Sequence, residues 1–373
     1  MAKTKKESEM RGFANVEVQS LSANESKLVT FTYISLNASF LALENGPILL
    51  TKLAANRGTD SEKSKKKFKK ALKEWEGRLN EIINVDLANG TEDDIVWQIS
   101  KEAGLKGAEM LLPMFRETKG ESGWQAMQVN PRYYRSVEKT VAHAAELSSL
   151  AENILIKMPV STAGVKAIEE CTYRGISVNG TVCFGVPQGI AVAEAIERGY
   201  KRREAEGLPT DMLHCSCTIM TGRADDFMKR LVAERETNIT QEYLDCAGEA
   251  VFKKIYKIYR QKGYRAKLLV ANNNSHFLWS RFLGGDILMT INPLWWRRME
   301  GARLELHETI DEEVAPLVVE ELYDKIPEFR SIYDEDGLKV EEFNNYGAFK
   351  HTINEFLTGF DGVHAYMRGF ILP

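Results

Sequence analysis

Lys157 sits near the end of an apolar run, "NILIKM" (153–158), that reads as a buried strand. A buried ammonium must be paired with a carboxylate, give up its proton, or take part in chemistry. Strict alternation puts Lys157 on one face with Leu155 and leaves Ile154 and Ile156 on the other. In "ISVNGTV" the residues Ser177, Asn179 and Thr181 share a face, a polar ladder inside an apolar strand. "WQAMQVN" gathers Trp124, Ala126, Gln128 and Asn130, and "HCSCTIMTGR" gathers His214, Ser216 and Thr218, with Arg223 just past the strand end. A structural ion pair for Lys157 needs a carboxylate at the same end of a neighbouring strand. Asp286 begins its strand at the opposite end, and Glu17 lies one residue short of an inward position. Desolvation, with a cation such as Arg223 nearby, disfavours the charged form of a lysine and leaves a nucleophilic amine. That is the chemistry of a Schiff base.

Positioning these groups takes strands and helices in alternation. Eight segments read as strands: 15–18, 28–35, 124–129, 153–158, 176–184, 213–219, 267–271 and 286–291. Helical patterns separate most of them; in the one that Ser136 caps, Val137, Val141, Ala144, Leu147 and Leu150 recur at helical spacing. Repeated strand and helix units imply a parallel sheet, and eight of them imply an α/β fold of the (β/α)₈ TIM barrel type. The barrel domain is expected over residues 13–373, after a flexible tail at 1–12. A helical insertion between strands 2 and 3 spans about 50–120 and a helical extension about 300–373. Phe68, Leu72, Trp75, Leu79 and Ile82 mark one amphipathic helix of the insertion, and Thr91 followed by three acids starts the next. The lysines of "KSKKKFKK" belong to the solvated face of the first of these helices.

A net charge of −4 argues against a general nucleic-acid binder. No apolar run approaches the roughly 20 residues of a membrane span, and the basic start "MAKTKKESEMRG" has no apolar stretch behind it. A cytoplasmic protein is expected, without membrane or nucleic-acid partners. The five cysteines (171, 183, 215, 217 and 246) lie mostly in apolar stretches, as reduced thiols do. Cys215 and Cys217 form a C-x-C with no second pair at zinc spacing, so neither metal nor cofactor is expected.

The stretch "ILIKMPVSTAGVKAIEECTYRGISVNGTVCFG" resembles the transaldolase family, in which a fourth-strand lysine is followed by the Asn and Thr of an N-x-T on the fifth strand. Asn179 and Thr181 stand 22 and 24 residues after Lys157, at the family's spacing. "SVEKTVAHAAEL", "MTGRADD" and "FLGGDILMTINPLWWRRM" carry the resemblance further. It implies that Lys157 forms a Schiff base with a ketose carbonyl, that Thr181 helps hold the catalytic water, and that Asn179 binds substrate hydroxyls. Ser35 and Asn37 in "SLNAS" match the family's substrate loop, with Ala38 in place of its proline. Arg223 matches a phosphate-binding arginine, and Thr218 a serine that assists it. The small-molecule partner implied is a sugar or sugar phosphate, and the setting is carbohydrate metabolism of the pentose phosphate type.

This sequence departs from the family in its acids. Residues 1–59 hold no aspartate, and Gln19 aligns best with the family's first-strand Asp. Gln128 replaces its third-strand Glu. An amide orients water but does not exchange a proton at neutral pH. The related fructose-6-phosphate aldolase branch uses a sixth-strand Tyr where this chain has Met220, and Asn274 best matches a second phosphate-binding cation. Three outcomes stay open: dihydroxyacetone transfer, a class I aldolase acting on a different ketose, and a catalytically impaired sugar-binding barrel.

Overall fold

Six parallel strands pair in chain order in the computed structural model, which describes residues 76–271, 280–290 and 307–372. They are β1 (Gln125–Gln128), β2 (Ile154–Pro159), β3 (Val178–Cys183), β4 (Ser216–Ile219), β5 (Lys267–Val270) and β6 (Ile287–Met289). These are the third to eighth of the expected strands. The segments 15–18 and 28–35 lie outside the described residues, as do Gln19, Ser35, Asn37, Asn274 and the lysine cluster at 63–70. What is seen is an α/β half-barrel; a closed ring of eight strands is an expectation that the described residues do not reach.

α1 (Glu92–Glu117) precedes β1, and between the strands run α2 (Val137–Ser148), α3 (Thr162–Tyr173), α4 (Val186–Ala205), α5 (Thr221–Arg235), α6 (Gln241–Leu244) and α7 (Ala247–Lys262). After β6 come α8 (Pro316–Lys325), α9 (Pro327–Tyr333) and α10 (Gly347–Ile371). The helix starts follow from their caps. Thr91 Oγ1 accepts from the Asp94 N–H at 3.2 Å while Asp94 accepts from the Thr91 N–H at 2.8 Å, a reciprocal box backed by Glu92 and Asp93. Ser136 caps α2, and Ser161 caps α3 through the Gly164 N–H at 2.8 Å. Such a cap is worth about 1 kcal/mol. Gly164 has a second reason to be there. A Cβ at that position would lie 1.8 Å from the Pro159 carbonyl oxygen, so only glycine lets α3 turn this tightly off β2.

Alternation sorts the two faces of the sheet. Ile154, Ile156, Met158, Val178, Cys215, Cys217, Ile219, Leu268, Val270, Ile287 and Met289 all join one apolar cluster with the helices. Leu155, Lys157, Asn179, Ser216, Thr218 and Leu269 alternate with them and take the other face. That face is concave. β1 and β5 are four strands apart, which in a flat sheet is about 19 Å, yet Lys267 on β5 pairs with Glu121, just ahead of β1, at 3.3 Å. The rings of Trp124 and His214, ahead of β1 and β4, have centroids 5.6 Å apart. Curling of the sheet brings both pairs together, as in a barrel wall.

α10 lies across the rim at the C-terminal strand ends. Its first half faces α5, where His351 meets Arg230 and Thr352 meets Arg223. Its second half reaches the start of α1 and the turn after β1, where Arg368 binds Glu92 at 2.6 Å and Asp361 binds Arg132 at 2.8 Å. No helix of the described residues is long and apolar enough to cross a membrane.

Candidate active site

Directly paired residues in a parallel sheet share a face. Gln128 pairs with Lys157, Lys157 with Asn179, and Asn179 with Ser216, so four polar side chains from four strands form one row on the concave face. All four are buried, and Lys157 is 8% exposed. An isolated polar residue satisfied by its own chain neighbours does not describe such a row.

Asn179 is held from both sides by β4. Its Nδ2 donates to Ser216 Oγ at 2.6 Å, and its Oδ1 accepts from Thr218 Oγ1 at 2.7 Å. The amide orientation is thereby set, leaving one N–H and one lone pair to face a ligand. Ser216 was grouped on this face by alternation, but its part in orienting Asn179 has no local signal. Thr218, which the resemblance assigns to assisting an anion, here spends its proton on Asn179.

Thr181 stands at an irregularity. It pairs with Pro159 at the C-terminal end of β2, and the register between β3 and β4 shifts between Gly180 and Cys183. Next to it Val182 has φ +56°, left-handed backbone that a β-branched residue rarely adopts. The surroundings enforce it. Val182 is fully buried, and Gln188, in the first turn of α4, accepts from the Phe184 N–H at 2.8 Å and donates toward the Val182 and Val160 carbonyls at 3.4 Å. Bulges and strained residues of this kind re-aim neighbouring side chains and cluster at functional sites. Gly180 lets α4 come close, since a Cβ there would sit 2.9 Å from Val192.

Arg223 lies in the first turn of α5, which starts directly after β4 with no side-chain cap. A guanidinium at a helix start that no side chain caps is chemically suited to an anion. Arg223 Nη1 is held by the carboxylate of Glu355 on α10, with Thr352 Oγ1 3.4 Å away. Glu355 also touches His351 at 3.0 Å.

Other titratable groups serve the scaffold. His143 accepts the Asn130 N–H at 3.1 Å through Nδ1, and burial pulls its pKa down to about 4, so it stays a neutral acceptor. Asn130, expected on the site's face, uses its Oδ1 to accept the Arg132 N–H at 3.0 Å and so starts a turn. Burial pushes Asp225 up to about 8, and its carboxyl receives the Gly248 N–H at 2.7 Å where α7 begins. Cys171 and Cys215 are buried thiols, pushed up to about 12 and about 11 by desolvation. Among the described residues no group of three His, Cys, Asp or Glu side chains is placed to hold a metal.

The family model for transaldolase/fructose-6-phosphate aldolase matches residues 47–337, more than half of the chain. A protein named transaldolase 1 from Streptomyces avermitilis is 28% identical over 196 residues, covering 52% of each chain. A transaldolase from Thiobacillus denitrificans is 34% identical over 144 residues, 38% of this chain and 39% of its own. One from Mycobacterium bovis is 26% identical over 196 residues, again 52% of each. The chain thus spans about half the length of the curated relatives it matches.

Proposed function

The chain belongs to the transaldolase/fructose-6-phosphate aldolase family, and on that premise we propose that it transfers a dihydroxyacetone unit from a ketose or ketose phosphate to an aldose or aldose phosphate through a Schiff base on Lys157. The observation that supports this best is the buried row of Gln128, Lys157, Asn179 and Ser216, with Asn179 oriented from both sides by β4.

The Lys157 amine attacks C2 of the ketose, and the carbinolamine loses water to give an iminium. Cleavage of C3–C4 then leaves its electron pair on C3 as the enamine, while the C4 hydroxyl gives up its proton and departs as an aldehyde. C3 of the enamine attacks the acceptor aldehyde, whose oxygen takes up a proton, and water releases the product from Lys157. Asn179 binds substrate hydroxyls, and Thr181, aimed by the bulge at Val182, holds the water. Arg223 stands at the rim for the distal end of the substrate. Ser35, Asn37 and Asn274 complete the substrate contacts in this reading, and Gln19 joins Gln128 in orienting the waters that carry protons.

A second reading is a sugar-binding barrel of weakened catalysis. It is favoured by Gln128, which puts a non-ionisable amide directly beside Lys157. A class I aldolase that protonates the enamine, in place of passing it on, shares every step up to C–C cleavage. Borohydride reduction with candidate ketoses, followed by mass mapping, separates chemistry from binding. A dihydroxyacetone-derived adduct on Lys157 is expected; absence of an adduct with every ketose would overturn the enzyme reading.

A further inference from the structure

The anion seat at Arg223 already holds a carboxylate, and that carboxylate is part of the chain. Glu355 comes from α10, a helix packed down through its buried Phe349, Ile353, Phe356 and Phe360, with exposed pairs at each end, Arg230 to His351 beside α5 and Arg368 to Glu92 at α1. Thr352 contacts the same Nη1 of Arg223, and Phe356 lies 5.9 Å from its guanidinium. Arg223 is therefore paired with a half-buried carboxylate carried on a packed helix.

We propose that Glu355 is a specificity-determining residue that turns the rim of this site from phosphorylated toward unphosphorylated ketoses. The inference rests on the reading of Lys157 given above. A phosphate approaching Arg223 meets Glu355 at close range and must displace it or bear like-charge repulsion. A terminal hydroxyl carries no charge and can accept from the guanidinium or donate to the carboxylate. His351 bridges Arg230 and Glu355, accepting from Arg230 at Nδ1 and donating to Glu355 from Nε2, and so helps hold the carboxylate in line with Arg223.

The test compares fructose with fructose 6-phosphate as donors for borohydride trapping on Lys157 in the full chain, in the wild type and in Glu355→Gln. The wild type is expected to trap fructose at concentrations no higher than those needed for the phosphate ester. Glu355→Gln is expected to raise the ratio of phosphorylated to unphosphorylated trapping at least tenfold and to bind inorganic phosphate at least tenfold more tightly by calorimetry. An unchanged ratio in a folded variant would overturn the proposal. So would a wild type that traps the phosphate ester at a tenfold lower concentration than fructose, a result that stands even if Glu355→Gln does not fold. Failure of every ketose to label Lys157 would overturn the Schiff-base reading; the phosphate calorimetry then still decides whether Glu355 guards Arg223.

Discussion

Lys157 and Lys267 belong to the same run of pairings. Lys157 pairs with Asn179, Asn179 with Ser216, and Ser216 with Lys267. Their surroundings differ. Lys267 is 29% exposed in its side chain and has Asp286 at 3.2 Å and Glu121 at 3.3 Å. Burial pulls its ammonium toward neutrality, but the two carboxylates outweigh that and hold its proton more tightly than a free lysine holds its own. Lys157 is more deeply buried, and its row neighbours are the amides of Gln128 and Asn179. Two carboxylates make Lys267 a strut, whereas the proposed chemistry asks Lys157 to react as an amine.

The contrast breaks most visibly by truncation. Lys157→Met is expected to abolish the borohydride adduct and lower turnover on the order of a thousandfold or more. Lys267→Met should leave the adduct within about twofold and cost about 1 kcal/mol in denaturant unfolding. A chain in which Lys267→Met removes the adduct and Lys157→Met spares it would reverse the assignment. A smaller effect comes from giving Lys157 what Lys267 has. Gln128→Glu sets a carboxylate beside it, and the pH of half-maximal trapping should rise by about one unit or more, because the charged amine is favoured. An unmoved midpoint would show that the two side chains do not interact.

The smallest expected effect is on the strut. Lys267 has a folded-state pKa above its ordinary value, so its contribution to stability is complete below the unfolded pKa of about 10.4 and is lost as pH rises through the folded one. Urea midpoints taken from about pH 9 to 12 should fall more steeply in the wild type than in Lys267→Met. Parallel curves would separate the pairing from stability.

The parts of the site legible in the sequence are those that local rules govern. Alternation put Lys157 with Leu155 and grouped Ser177, Asn179 and Thr181, because a strand buried on both faces has only two directions for a side chain. Thr91 and Ser136 were readable as caps for an equally local reason. Partners distant in the chain were not. Glu355 is 132 residues from Arg223 and lies in an ordinary helical pattern, and Ser216 looks like any inward serine until Asn179 arrives beside it. The left-handed turn at Val182 was also hidden, since its β-branched side chain argues for plain strand and only Gln188 and the shifted register enforce the bend. Asp286 was correctly placed at the far end of its strand from Lys157, and the structure shows which lysine it serves instead.

The path of α10 also bears on the order in which the molecule is assembled. During synthesis, the residues of β1 to β4 are made before those of the helix that pairs with Arg223. At roughly 5 to 20 residues per second, the 132 residues from Arg223 to Glu355 take about 7 to 26 s to make. Closing the second end, Arg368 onto Glu92, spans 276 residues, the kind of long-range contact that forms late. Arg223 is thus made well before the carboxylate that pairs with it, and its charge waits on the last helix of the chain for a partner.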